Sequence, residues 1–518
     1  MIFRSPYTDI QIPETSLTSL VLQHSVRLAD KPALIDGSTG RIVTYAQLAQ
    51  SVRSVASSLA QRGLEKGDVF AIFSPNLPEY AVAMHAVGIL GGITVPIYPL
   101  LTARELAGQL NEANAKYLLT VPQLMTTALA AIGETNVREI FVFGAAEKAT
   151  PFASLLESDG QFPSIEIAPR TDLFALPFSS GTTGLPKCVM LTHYNMVANL
   201  CQMDKVSAIS ESDKVICVVP CAHLFGMHVI MNLSLSKGAT VVTLPRFELE
   251  QFLQTLQDYH ITRAPLVPAI VYALAFHPSI DNYDLSKLKR VHSGGAPLAA
   301  SVARACAERL DCHMRYGYGQ TEVSPLSHMS AEEDTEAGAG SVGYCLPNTE
   351  CKVMDTETGA ELGPNETGEL WTRGPQVMKG YLNQPEATAA TIDADGWLHT
   401  GDIGYADEDG HFYIVDRLKE LIKYKGLQVA PAELEAVLLS HPAIADAAVI
   451  PFPDDEAGEI PKAFVVLKAE ASAEEIMSFV AERVAPHKKI RRVEKIEQIP
   501  RSPAGKILRR LLVEREKS

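Results

Sequence analysis

Apolar positions along the N-terminal third follow two alternating rhythms. TYAQLAQSVRSVASSLAQRG carries them at helical spacing, opens on Thr44 and Gln47 in capping-box register and stops at Gly63. VFAIFSP is a continuous apolar run of strand length, EYAVAMHAVGILGG predicts a buried helix and ITVPIYP a second strand. TARELAGQLNEANAK, opened by Thr102 and Glu105, repeats the helix, and YLLT closes the unit. Helix and strand alternating in this way predict parallel sheets covered by helices. A second series runs from about 190 to 310, with GATVVTLP as a strand and ELEQFLQTLQDY as a helix.

The texture changes between about 340 and 415. Short β-like runs (CKVMD, GELWTRG, FYIVD) alternate there with turn-rich TGAELGPNETG and DADG, which predicts a β-rich subdomain. Beyond it, PAELEAVLLSH reads as a helix with Pro431 in its first turn. DAAVIPF and KAFVVLK read as strands, and SAEEIMSFVAERV as a capped helix. The expected fold class is therefore α/β, with a large N-terminal domain (1–417, its β-rich part at 340–415) and a small α+β C-terminal domain (421–518). The joint between them falls at DRLKE.

Composition narrows the function. Of 518 residues, 47% are hydrophobic and 20% charged, a core-forming mixture. The formal charge of −16 argues against nucleic acid or an anionic membrane as a general partner, though a local basic cluster can still hold an anionic ligand. MIFRSPYTDIQIPETS has no apolar leader core, and no run is long and apolar enough to span a membrane. The eight cysteines show no CxxC pairing, and Cys221 beside His223 reads as ordinary burial. A reduced, cytoplasmic protein, monomeric or homodimeric, is expected.

Five stretches carry candidate chemistry. In SSGTTGLPK, glycines let backbone N–H groups approach an anion; Ser179, Ser180, Thr182 and Thr183 add rotatable donors, and Lys187 adds a positive charge. That suits a polyphosphate, yet it lacks the Gly-Lys-Ser/Thr ending of the common nucleotide loop, and a polar turn between strands remains open. RVHSGGAPLAAS offers a low-bulk edge for a planar ring, or simply a strand-to-helix turn. In RYGYGQTEVSP, Tyr318 between glycines offers an aromatic face, and Thr321 and Glu322 a hydroxyl and a carboxylate, the latter a reasonable Mg²⁺ ligand beside phosphate. The fourth, from WLHTGD to KYKG, pairs Asp402, suited to ribose hydroxyls, with Arg417 and Lys419, Lys423 and Lys425. Near the end, PRSPAGKILRR sets Lys506 at the threshold of a helix; surface lysines on an amphipathic turn and a plain C-terminal basic patch remain open for these last two stretches.

In order, TYAQL, SSGTTGLPK, GYGQTE, TGD, VDRLKELIKYKG and SPAGK closely resemble the adenylate-forming superfamily of acyl-CoA synthetases, luciferase and free-standing adenylation domains. Within it the chain looks most like 4-coumarate–CoA ligases, over nearly its whole length. The resemblance implies an ATP-dependent acid–thiol ligase using Mg²⁺ and coenzyme A, with acyl-AMP as intermediate and AMP and pyrophosphate as products. It implies that Ser179, Ser180, Gly181, Thr182, Thr183 and Lys187 hold the β- and γ-phosphates, Glu322 carries Mg²⁺ and Thr321 touches the α-phosphate. Gly295, Ala296 and the Tyr316-Gly317-Tyr318 segment would flank adenine, and Asp402 and Arg417 would hold ribose. Lys506 would bridge the acid carboxylate and the α-phosphate. A hinge at 418–420, centred on Lys419, would then let the C-terminal domain withdraw Lys506 and present Lys423, Lys425 and Gly426 to the thioester step. Arg246 would meet the nucleotide end of coenzyme A, and His223 would gate the acyl pocket.

Two departures stand out. Cys188 follows the loop lysine where a glycine is usual, and is expected to stiffen the loop. Phe225 stands where many coumarate ligases have tyrosine, with Val229 on the same wall. Without that hydroxyl, the expected acid is a less hydroxylated aromatic one such as cinnamate, or a medium-chain fatty acid. The competing classes are a luciferase-like oxygenase, a ligase loading a carrier-protein thiol, and a nucleotide-binding protein without catalysis.

Overall fold

The computed structural model describes residues 1–179, 186–331, 340–425, 427–454, 457–501 and 507–516. Among them, four sheets organise the chain. In the first, Val69–Phe73, Ile93–Ile97, Tyr117–Thr120 and Glu139–Val142 run parallel. The helix Tyr45–Gln61 carries the Thr44/Gln47 capping box, and Ala103–Glu112 the Thr102/Glu105 one. Gly63 follows the first of these at φ +86°, the left-handed conformation that glycine adopts without strain.

This sheet ends in an antiparallel hairpin, Phe178–Ser179 against Lys187–Thr192, with Ser179 opposite Lys187. The short strand Gly380–Tyr381 then pairs on the far side of Lys187–Thr192. The second sheet is parallel from Pro32–Asp36 through Thr240–Thr243, Lys214–Cys217, Arg263–Leu266 and Arg290–Ser293 to His313–Gly319.

A five-stranded antiparallel sheet holds Glu350–Met354, Gly368–Arg373, Leu398–Ala406 and Phe412–Arg417. Its edge is Phe3–Arg4, a pairing at |i−j| of nearly the whole domain that no local pattern in MIFRSP signals. Beyond Leu418–Glu420 the chain builds the last sheet, in which Ile444–Asp454 pairs antiparallel with Gly458–Leu467. The helices Pro431–Leu439, with Pro431 at its first position, and Ala473–Ala481, capped by Ser472 and Glu475, cover it. This lobe has its own buried core, which includes Ile422, Leu434, Val449 and Val465. No helix among the described residues is long and apolar enough to cross a membrane.

Candidate active site

In parallel sheets, ligands gather beyond the carboxyl ends of the strands, where loops leave in different directions. The second sheet follows that rule. Val219 beyond Lys214–Cys217, Val267 beyond Arg263–Leu266, Gly294 beyond Arg290–Ser293 and Gln320 beyond His313–Gly319 all line one cavity of about 1280 Å³. A single small ligand occupies roughly 300–1,000 Å³, so more than one reactant fits.

The first sheet supplies a cationic part of the wall through its hairpin. Ser179 and Lys187 both line the cavity, and the Lys187 ammonium lies 4.6 Å from the centre of the Tyr381 ring. Tyr381 donates its hydroxyl to Glu322 at 2.9 Å, and Glu322 is only 6% exposed. Thr321 joins it on the wall. A cation, an aromatic ring and a carboxylate thus meet from segments far apart in sequence. One carboxylate facing a place for phosphate oxygens fits how magnesium is usually held.

Next to it, Arg417 lines the cavity and pairs through Nε with Asp402 at 3.0 Å, its cross-strand neighbour. Asp402 is 4% exposed and also accepts the Tyr318 hydroxyl at 2.7 Å. Neither Asp402 nor Tyr318 lines the cavity, where Thr400 and Gly401 stand instead. Tyr318 is half-buried, tilted against His328, rather than the open aromatic face its glycine neighbours suggest. The strand register shifts between Tyr318 and Gly319, and the hydroxyl finds a buried carboxylate. Tyr316, Gly317 and Gly295 form the adjoining wall, and Ala296 lies outside it.

Another part of the wall is built on a π-helix, Phe225–Asn232. Gly226 is obligatory there, since a Cβ would come within 2.4 Å of the Pro220 carbonyl oxygen. Phe225 and Val229 face the cavity. Behind them, His228 and Asn232 belong to a buried hydrogen-bonded chain. His228 reaches the Met196 carbonyl at 3.1 Å, Asn232 donates to His228 at 3.3 Å, and His85 links Asn232 and Thr18 at 3.2 Å each. Burial pushes His228 down to about 3 and His85 to about 4, so both are neutral imidazoles at neutral pH.

The loop before this helix is pinned by Asn76, which accepts from the Cys221 N–H at 2.7 Å and donates to the Val219 carbonyl at 2.9 Å. Cys221 packs 3.7 Å from Cys217, both buried, and all eight cysteines are free. His223 lines the cavity; its Nδ1 accepts the Phe225 N–H at 3.1 Å, which leaves the proton of the neutral ring on Nε2. Burial lowers its pKa.

Cys188 departs from the expectation drawn for it. It is fully buried in the apolar core beneath the hairpin, because strand alternation that points Lys187 to the cavity points Cys188 away. Its bulk fills the core rather than the loop, and burial raises its thiol pKa.

At the lobe junction, exposed Lys419 lines the cavity along with Arg509 from the last helix, Arg509–Glu516. Arg509 pairs with Glu420 and, at 2.7 Å, with Glu435. Lys423, Lys425 and Arg246 are exposed and do not line the cavity. Ser180, Gly181, Thr182, Thr183, Gly426 and Lys506 lie outside the described residues. Sequence reading did not single out Tyr381, Arg509 or the buried serines Ser207 and Ser234, whereas Ser293 lies in the RVHSGGAPLAAS stretch that it did. Only Tyr381, an aromatic in KGYLNQP, carried any local signal.

The comparisons agree with this geometry. Residues 22–382 match the family model of the AMP-binding enzyme, and residues 433–506 that of the AMP-binding enzyme C-terminal domain. 4-Coumarate–CoA ligase 1 of Petroselinum crispum is 42% identical over 98% of this chain and 96% of its own length. 4-Coumarate–CoA ligase 1 of Solanum tuberosum is 41% identical over the same shares. Among solved structures, the anthranilate CoA ligase AuaEII in complex with anthranoyl-AMP superposes with a TM-score of 0.90 at 26% identity, covering 98% of each chain. ATP-bound MatB from Rhodopseudomonas palustris gives 0.89 at 27% identity, covering 97% of this chain and 99% of that one. With matches that span both lobes, the chain belongs to the AMP-binding enzyme family of adenylate-forming ligases.

Proposed function

We propose that this chain is an ATP-dependent acid–CoA ligase for aromatic acids of the cinnamate and 4-coumarate type, acting through an acyl-adenylate. The observation that carries the reading is one cavity joining the Lys187–Tyr381–Glu322 cluster to the apolar wall of Phe225 and Val229. Family membership and the names of the plant relatives point the same way.

A carboxylate is a poor acyl donor because its oxygen leaves badly; joined to AMP, it leaves well. In the first step a carboxylate oxygen bonds to the α-phosphorus while the bond to the bridging α–β oxygen breaks and pyrophosphate departs. In the second, the coenzyme A sulfur, its proton lost, bonds to the acyl carbon and AMP departs. Phosphoryl transfer offers side chains little covalent work, so positioning and charge dominate. Lys187, with the loop from Ser179 to Thr183, would hold the outer phosphates. Glu322, oriented by the Tyr381 hydroxyl, would hold Mg²⁺, which neutralises phosphate charge when bound. Thr321 would touch the α-phosphate, and Arg417, held by Asp402, would bind ribose.

Lys506 would stand between the two anions in the first step. Reorientation about 418–420 would then bring Lys423, Lys425 and Gly426 to the cavity and Arg246 to the nucleotide of coenzyme A. Neutral His223 adds no positive charge to the acyl passage.

The test is an acid panel with ATP, Mg²⁺ and coenzyme A. Equal amounts of AMP, pyrophosphate and thioester, dependent on an aromatic acid, are expected. Release of ADP and phosphate, or no dependence on any acid, would overturn the reading.

A further inference from the structure

The strand Gly368–Arg373 runs beside Leu398–Ala406, and the ladder between them is broken at one place. Glu369 pairs with Ile403 and Trp371 with His399, so Thr400, Gly401 and Asp402 stand against Leu370 alone. Such a bulge leaves main-chain groups without strand partners, and those withdrawn from water need substitutes. Gly401 lies at φ +69°, in the left-handed region, which turns its backbone out of the ladder.

A side chain takes up the freed N–H. Glu369 accepts it on Oε1 at 2.9 Å and accepts the Trp371 Nε1–H on Oε2, also at 2.9 Å. On its other side, the Gly401 carbonyl accepts the N–H of Leu418, the first residue of the joint, at 2.9 Å. Glu369, Gly401, Arg417 and Leu418 all line the cavity. Trp371 in turn lies flat on His399, ring centres 3.6 Å apart, and His399 lines the cavity as well. Glu369 is half-buried, and no Lys, Arg or His among the described residues pairs with it. A carboxylate held in a cavity wall without a counter-ion serves as an acceptor, and here both oxygens face N–H groups.

We infer that Glu369 is a positioning residue for the nucleotide: through Gly401 it sets the Asp402–Arg417 pair against the ribose and ties that pair to Leu418 at the head of the joint. Asp402 follows Gly401 directly and pairs with Arg417 at 3.0 Å, so a rotated Gly401 displaces carboxylate and guanidinium together. Small misplacements of binding groups are costly in a site that works by orientation. This deepens the acid–CoA ligase reading and rests on it, and on its assignment of ribose to Asp402 and Arg417.

The experiment measures acid-dependent pyrophosphate release with ATP and with 2′,3′-dideoxy-ATP, which lacks both ribose hydroxyls. The unmodified protein is expected to prefer ATP in kcat/KM at least about a hundredfold, since two hydrogen bonds to charged groups are lost. In Glu369→Gln one acceptor becomes a donor facing an N–H, and the preference is expected to fall at least about fivefold. Glu369→Ala should lower it further. The loss falls on KM for ATP more than on kcat, and far less on either constant for dideoxy-ATP. Asp402→Ala, the reference for a lost ribose contact, is expected to bring the preference close to one. A Glu369→Gln protein that loses equally with both nucleotides, keeps the full preference or fails to fold overturns the inference, because Glu369 is then structural or idle. An unmodified protein that treats the nucleotides alike, or an Asp402→Ala that keeps the preference, overturns the ribose assignment instead. Absence of pyrophosphate release with every acid overturns the ligase reading, a separate and recognisable outcome.

Discussion

Where Phe225 and Val229 line the cavity, the wall is a π-helix tied from behind by neutral hydrogen bonds, from Thr18 through His85, Asn232 and His228 to the Met196 carbonyl. At the lobe junction the wall is ionic instead. Arg417 leans on Asp402, and Arg509 joins Glu420 from the joint to Glu435 of the small lobe. The first set is buried and geometrically exacting, so it holds one shape. The ion pairs are largely buried too, but attraction between charges falls off slowly with distance and tolerates more displacement than a hydrogen bond does. A pocket that recognises one acid needs the former, and a lobe that turns between two half-reactions, as proposed above, needs the latter.

The largest effect expected lies on the side of the C-terminal lobe. Lys506→Ala should lower acid-dependent pyrophosphate release by about 10²–10³-fold, and far less the thioester formed from supplied acyl-adenylate. Lys423→Ala should show the opposite bias; equal losses in both assays for either variant would break the comparison. Arg509→Met should destabilise the small lobe by about 3 kcal/mol, since it strands the buried Glu435 beside Glu420 and Asp416. Denaturant titration read separately on the two lobes would detect it, and an unchanged midpoint for the small lobe would refute the ionic wall.

Gly226→Ala should cost about 2 kcal/mol by driving a Cβ into the Pro220 carbonyl. Activity should fall with it, measured by thermal unfolding and turnover on the same sample. By contrast, a Cβ on Gly294 would sit 3.4 Å from the Phe225 ring, ordinary contact, so Gly294→Ala should be milder.

The smallest effect, taken group by group, is a response to acid. His85 and His193 sit at about 4 and His228 at about 3, all lowered by burial below the unfolded value near 6.5. Below about 6.5 the unfolded chain binds the protons that the folded chain refuses, so stability falls as pH drops toward about 4. Each imidazole contributes about 0.8 kcal/mol of that loss at pH 6. Unfolding midpoints between pH 8 and 5 would show the decline, and His85→Gln should make it shallower.

What the sequence made legible were features closed within a few residues. Capping boxes at Thr44, Thr102 and Ser472 satisfy their own helix ends, and Lys187, picked out beside its glycines and hydroxyls, does line the cavity. What stayed hidden depends on distance. Tyr381 reaches Glu322 across 59 positions, and Phe3 pairs with Cys351 only once the domain has closed. Ser207 and Ser234 look like any helical serines until burial deprives them of water. Cys188 was read against a loop, whereas the alternation of its strand sends it to the core.

Transfer of oxygen from acid to nucleotide would reveal the chemistry itself. With both carboxylate oxygens of the acid labelled with oxygen-18, an attack on the α-phosphorus carries one label into each AMP once coenzyme A has taken the acyl group, and leaves pyrophosphate unlabelled. AMP without label, or label in pyrophosphate or inorganic phosphate, would contradict an acyl-adenylate formed in this cavity.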